Sequence, residues 1–187
     1  MEEKKKKKKW PMLVGILAVI IIIGAVAGGS SGAKKVGDST GTGSGDTTAS
    51  EKGTEQSKFK IGDVVDLNGV QVTLVDVTES TGEQYNTPAD GNIFLICEFE
   101  INNQSKSDIA VSSMVSFEAY CDDYAINQSL SALVLNNTKN QLDGTVAAGK
   151  KMNGVIGYEV SKDWKSLEIT YSPSFWGSKS MTFQATK

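Results

Sequence analysis

The stretch Ile93-Phe94-Leu95-Ile96-Cys97-Glu98-Phe99-Glu100-Ile101 decides the fold class. Ile93, Leu95, Cys97, Phe99 and Ile101 fall on one phase of a two-residue period, and Phe94, Ile96, Glu98 and Glu100 on the other. Successive side chains of a strand point to opposite faces, so this pattern predicts a β-strand with one face in a core. The same period recurs on both sides of it. Upstream lie Val70, Val72 and Leu74; downstream lie Val115, Phe117, Ala119 and Cys121, then Met152, Gly154, Ile156, Tyr158 and Val160. Leu167, Ile169 and Tyr171 follow, and Met181, Phe183 and Ala185 close the chain. Between these runs stand Asn68-Gly69, Asp90-Gly91-Asn92, Asn102-Asn103, Asp122-Asp123, Asp143-Gly144 and Ala148-Gly149, residues that favour turns. No long 3.6-residue stripe interrupts them; Lys162–Lys165 is expected to form a single helical turn with Ser161 as its N-cap. About seven or eight strands are expected between Phe59 and the C-terminus, which implies an all-β antiparallel sandwich of two packed sheets.

The first thirty residues obey different physics. Met12 to Ala27 (MLVGILAVIIIIGAVA) carries no charge, and counted from Trp10 the uncharged run is 18 residues long. As a helix it would measure about 27 Å at ~1.5 Å per residue, close to a hydrocarbon core of ~30 Å. Six consecutive lysines, Lys4 to Lys9, precede it and predict an N-terminus held in the cytoplasm, with Trp10 at the interface. Residues 10–27 are therefore expected to be a transmembrane signal anchor behind a cytoplasmic polybasic tail, residues 1–9. Ala25-Val26-Ala27 also has the small-x-small form of a signal-peptidase site, so the alternative is a secreted soluble form cleaved after Ala27. Residues 28–57 are dominated by Gly, Ser and Thr and lack apolar periodicity, which predicts a disordered flexible linker. Residues 58–187 are then the extracellular domain.

Composition excludes several classes of function. Residues 28–187 hold 13 Lys against 20 Asp and Glu, a net −7, while residues 1–27 hold six Lys and two Glu, a net +4; the chain total is −3. An acidic domain repels nucleic acid, and without any Arg the bidentate contacts to phosphate and guanine are missing as well. No nucleic-acid partner is expected. The chain has no His, which removes the commonest general base and zinc ligand, and its two Cys cannot complete a structural zinc site. Asp63, Asp66 and Asn68-Gly69 lack the spacing of a calcium loop and read as turn residues, as do Asp122-Asp123. No metal, no cofactor and no catalytic residues are expected.

Two segments carry a family resemblance. IFLICEFEINNQSKSDIAVSS (93–113) is a long hydrophobic strand followed by an Asn-Asn turn and a hydrophobic-Val step. GTVAAGKKMNGVIGYEVSKDWKSLEITYSPSFWGSKSMTFQ (144–184) has a Gly-Lys turn, an alternating strand ending in a Lys-Asp turn, a Leu-x-hydrophobic-x-Tyr strand and a Trp-bearing tail. From Phe59 to Lys187 the chain resembles the immunoglobulin-like domains of uncharacterised function found on anchored surface proteins of Gram-positive bacteria. These are sometimes filed under a telomeric-repeat-binding-factor name, and are similar in fold to a small secreted mycobacterial antigen. The resemblance implies an immunoglobulin-like sandwich, an extracellular location and no established activity. Ser161 stands where the family often has Pro, and the two Cys are not a general feature of it.

A few residues are candidates for a site. Cys97 and Cys121 both lie on the apolar phase of their strands; outside the cytoplasm they form either a disulfide or two buried free thiols packing as small hydrophobes. A bridge would close a loop worth about 3.5 kcal/mol in the chain-entropy model. Trp164, Phe175 and Trp176 are aromatic candidates for an interaction surface, the alternative being that they plug the ends of the sandwich. Tyr85 belongs with them, on a long loop between Glu79 and Asn92. The expected function is a membrane-tethered extracellular binding or interaction module without catalytic activity, with an extracellular protein or glycan as ligand. The alternative is the ectodomain of a cell-envelope or stress sensor, which would need a membrane partner because its cytoplasmic tail is short.

Overall fold

The computed structural model describes residues 32–38, 58–135, 140–173 and 179–187. In chain order the strands are β1 (Lys34–Asp38), β2 (Lys58–Lys60), β3 (Asp63–Leu67), β4 (Val70–Ser80), β5 (Asn92–Asn103) and β6 (Ile109–Ser112). A short helix α1 (Ser113–Ser116) leads into β7 (Phe117–Cys121) and β8 (Tyr124–Ile126), and α2 (Leu130–Val134) follows. β9 (Asp143–Val146), β10 (Lys151–Ser161), β11 (Ser166–Tyr171) and β12 (Met181–Thr186) complete the set.

These strands build an all-β sandwich. One sheet has the order β1-β3-β4-β5-β10, the other β2-β12-β11-β7-β8, and β6 pairs with β9 beside them. β5, the strand read first from the sequence, is flanked antiparallel by β4 and by β10, with Phe99 opposite both Leu74 and Gly154. Ile93, Leu95, Cys97, Phe99 and Ile101 are all buried and belong to the core between the sheets. Phe99 meets the other sheet directly: its ring centroid lies 5.2 Å from that of Phe117 and 5.8 Å from that of Phe183. Phe117 in turn packs on Tyr171 at 4.9 Å, so one aromatic column ties β5 to β7, β11 and β12. Such pairs add to the area term that dominates folding.

Turn residues bend the chain where expected. Asn68 and Gly69 have φ of 57° and 82°, and Asp122 and Asp123 have φ of 47° and 68°. Two consecutive left-handed residues make the tight hairpin connection whose twist matches that of the strands. The Asp66 carboxylate accepts from Gly69 N at 3.2 Å, and Asp122 accepts from Ser166 N at 2.8 Å. These aspartates brace turns. Asn103 is a further brace: its amide donates to the Ser107 and Val146 carbonyls at 2.8 and 2.9 Å. Its Oδ1 accepts from Ser105 N and Ser105 Oγ, at 3.1 and 2.6 Å.

Several expectations need correction. From residue 58 on, the described residues contain eleven strands rather than seven or eight, because short pairing segments such as β6, β8 and β9 have too few residues to display a period. Part of the expected linker is structured: β1 pairs antiparallel with β3 across a bulge, with Lys35 Nζ 2.5 Å from the buried Asp63 carboxylate. Val115 does not share the inward phase of Phe117; it lies exposed in α1. Lys162–Lys165 makes a turn and not a helix, with Trp164 N donating to the Ser161 carbonyl at 3.1 Å and Asp163 N to Ser161 Oγ at 3.2 Å. The expected cytoplasmic tail at residues 1–9, the expected transmembrane segment at residues 10–27 and the rest of the linker, 28–31 and 39–57, lie outside the described residues; among those described, no helix is long and apolar enough to cross a membrane.

Candidate functional site

β10 and β8 lie at the same lateral side of the sandwich, each at the border of its sheet. After β8 the chain leaves one sheet and crosses to the other. Gln128 forms a bridge with Tyr158, and Ser129 N donates to the Gly157 carbonyl at 2.8 Å. A second segment does the same from Gln141, which bridges Val155. The otherwise open edge of β10 is thereby covered, a standard defence against edge-to-edge pairing. α2 sits on the outer face of β10, where Gly157 leaves room for it: a Cβ there would come within 2.6 Å of Ala132 Cβ.

This crossing leaves a cleft of about 480 Å³. Phe117, Ala119 and Ile126 supply apolar wall, Met114, Tyr120 and Asn127 its rim, and Gln128 and Tyr158 its polar groups. Met114 is 79% exposed and Tyr158 only 1%. Gln128 is held by its own amide: Nε2 donates to the Ser113 carbonyl, an atom that can only accept. Its Oε1 is therefore the oxygen left over, and that oxygen is buried without a hydrogen-bond partner. The Tyr158 hydroxyl is likewise buried and unpartnered. Burial, and secondarily the neighbouring Cys97, push its pKa well above the usual phenol range, so it stays a neutral donor. Nearly all buried polar groups are paired, and leaving one unpaired costs about 1–3 kcal/mol. Both residues border the cleft, which makes it the candidate site.

Ser113 lies behind it and is fully engaged. Its N and Oγ donate to the two carboxylate oxygens of Asp143 at 3.0 and 2.9 Å, and its Oγ accepts from Gln141 Nε2 at 2.6 Å. This network braces Gln128. It offers no free nucleophile. A second groove of about 310 Å³ crosses the outer face of the β1-containing sheet. Its polar groups satisfy one another, with Asn102 donating to Gln71 at 3.1 Å and Lys151 to Glu100 at 2.8 Å.

The residues expected from the sequence to carry a site are scattered. Trp164 is not a surface aromatic: it is 4% exposed, its Nε1 donates to Glu79 Oε1 at 2.7 Å, and Lys187 Nζ lies 5.9 Å from its ring centroid. It seals one end of the core because an indole buries a large apolar body while its N–H finds a carboxylate. Tyr85 is 93% exposed, on a loop tied to α2 through Asn86 Nδ2 and the Ser131 carbonyl at 2.7 Å. Phe175 and Trp176 lie outside the described residues. Cys97 and Cys121 are buried free thiols, the second of the two arrangements that the sequence leaves open. They sit on facing sheets, two residues from Phe99 and four from Phe117 respectively. That is a mismatch of about 7 Å along the strands, added to a sheet separation of ~10 Å, beyond the ~7 Å that a disulfide spans between α-carbons. Burial raises both thiol pKa values, so neither is a reactive thiolate. Among the described residues no group of three or more Cys, Asp or Glu is placed to hold a metal ion.

The cleft residues were missed for an identifiable reason. Tyr158 reads from the sequence as one more inward strand position, its only signal being a hydroxyl on an apolar phase. Gln128 and Met114 follow no period at all.

Two solved structures of Bacillus subtilis proteins share this fold. The chain superposes on ycdA, a lipoprotein candidate of Bacillus subtilis, with a TM-score of 0.54 and 24% identity, over 64% of this chain and 37% of that one. It superposes on yjhA of the same species with a TM-score of 0.53 and 19% identity, over 67% and 97% of the two chains. MPT63, a secreted protein of Mycobacterium tuberculosis, matches at a TM-score of 0.41 and 13% identity, over 66% and 84%. At these identities the two Bacillus subtilis matches speak to the fold alone. No curated protein sequence matches the chain. Residues 59–181 match the family described as Domain of unknown function (DUF4352), and the chain belongs to that family.

Proposed function

We propose that this protein is a non-catalytic binding module of immunoglobulin-like type, tethered outside the cell membrane by its N-terminal apolar segment, with the cleft between β8 and β10 as its ligand site. The observation that carries the reading is the cleft itself, about 480 Å³, with Phe117, Ala119 and Ile126 as apolar wall and Tyr120, Asn127 and Gln128 as polar lining. Binding sites share that composition: mostly apolar walls with a few placed polar groups that fix orientation. The tether rests on the uncharged run from Trp10 to Ala27 behind six lysines. The lipoprotein description of ycdA is in keeping with a surface location.

The test has two arms. On intact cells expressing the full chain, external protease is expected to remove residues 58–187 and spare the N-terminal lysines; the reverse pattern overturns the topology. For the cleft, the full chain in detergent micelles is screened with uncharged small fragments by methyl NMR of its labelled methionines. Saturable shifts at Met114 are expected, with the buried Met181 unmoved. A Met114 signal indifferent to every fragment removes the cleft as a ligand site.

A further inference from the structure

The border of the sandwich opposite the cleft has a chemistry of its own. Lys34, Lys35 and Val36 of β1 are exposed there, as are Lys58 and Lys60 of β2 and Ile61 in the turn that follows. One carboxylate joins the two groups: Asp63 meets Lys35 Nζ at 2.5 Å through one oxygen and accepts from the Lys60 N–H at 3.0 Å through the other. The carboxylates nearby are withdrawn from the surface. Asp63 is buried, Asp66 is half-buried opposite Lys34, and Glu168 is half-buried against Lys58; Asp38 ends β1. Residues 68–187, by contrast, hold 8 Lys against 14 Asp and Glu, so the acidic character of the domain lies elsewhere. Lysine alone on an exposed edge would serve to deter pairing with another chain. Val36, 53% exposed, and Ile61, 42% exposed, work against that purpose. Apolar groups set among lysines suit the boundary of water and lipid, where the apolar part enters the headgroup layer and the ammonium meets phosphate.

Chain length says what covers this border. With residues 10–27 in the bilayer, the reading on which this step rests, Lys34 follows Ala27 by seven residues, which reach at most about 24 Å fully extended. Pairing of β1 with β3 fastens that short leash to one border of the sheet, while β10 closes the other border four strand spacings, or about 19 Å, away. We propose that the β1 border is a lipid-docking surface: Lys34 and Lys60 contact the phosphates of anionic lipid headgroups, and Val36 and Ile61 enter the headgroup layer. The cleft between β8 and β10 is then displayed away from the membrane, open to whatever approaches from outside.

The experiment places the full chain, one per nanodisc, in a bilayer of phosphatidylglycerol and phosphatidylcholine that carries a gadolinium-chelate headgroup lipid. Broadening of the amide resonances is read. Amides of residues 34–37 and 60–62 are expected to broaden at least about tenfold more than those of Met114 and Tyr124, which lie on the far side of about 19 Å of sheet. Lys34→Glu combined with Lys60→Glu should cut the broadening at the border several-fold while leaving the core amide shifts in place. Equal broadening of the border and of Met114 overturns the proposal, because the domain then has no preferred side toward lipid. Broadening that the two substitutions leave untouched also overturns it, since the leash alone would be holding the border near. If the chain stays with the nanodiscs and the border amides remain sharp, the docking falls and the tether survives. If the chain separates from the nanodiscs on size exclusion, both fall.

Discussion

Asn103 shows how much one side chain can hold at the residue scale. Fully buried, it closes the turn after β5 through two donated and two accepted hydrogen bonds. Asn103→Ala strands the Val146 carbonyl in the interior, and a loss of about 2–3 kcal/mol in urea unfolding is expected. Glu79 is a second such residue, at the opposite end of the same sheet. Hydrogen bonds from Lys187 first, and then from Trp164, hold its carboxyl below the ordinary carboxylate range. A depressed carboxyl contributes stability that is present above its unfolded pKa and lost as pH falls through its folded one. Acidification below the usual carboxylate range should therefore release the Trp164 indole, seen as a shift of its Nε1–H resonance. In Glu79→Gln that pH dependence should vanish. An indole signal that titrates identically in both proteins would show that Glu79 is not its partner at acid pH. Both residues could be named in the sequence, one in a turn pair and the other at a strand end. Their importance could not, since their partners lie 43 and 85 positions away, respectively.

At the scale of elements, α2 and β10 depend on a glycine. A Cβ on Gly157 would approach Ala132 Cβ at 2.6 Å and Leu133 N at 3.0 Å, so Gly157→Ala must push α2 off the sheet or bend β10. Overpacking of this kind costs about 1–3 kcal/mol, and the expected result is a lower urea midpoint with faster amide exchange in residues 129–134. An unchanged midpoint would mean that α2 is not packed as described. β1 makes a different case. It lies mostly exposed at the edge of its sheet, held by backbone pairing with β3 and by the Lys35–Asp63 ion pair. A chain beginning at residue 58 lacks it and bares the β3 edge, so it should self-associate more than one beginning at residue 32, as measured by sedimentation. Neither element announces itself. α2 is five residues long, and β1 sits in a Gly-rich stretch whose composition reads as unstructured; each exists because a partner strand is already in place.

At the scale of the molecule, the described residues share one core between two sheets, with Cys97 and Cys121 on opposite sides of it as free thiols. Native protein should resist alkylation at both positions, and its melting temperature should not respond to reductant; a reductant-sensitive melt would indicate a bridge. The strand alternation of β5, β10 and β12, the turns at Asn68-Gly69 and Asp122-Asp123, the acidic character of the domain and the lack of His and Arg are all legible from the amino-acid order. They depend on neighbours one or two positions apart, and a two-residue period needs no partner to be visible. The cleft is a different kind of object. Gln128 and Tyr158 are thirty positions apart and meet only because the chain changes sheets after β8. Trp164 turned inward because Glu79 was there to take its N–H. Local order thus determined that pleated layers would form and where they would turn. Long-range pairing alone decided which polar atoms would be left without a partner, because hydrogen-bond satisfaction is a property of the assembled interior and not of any segment.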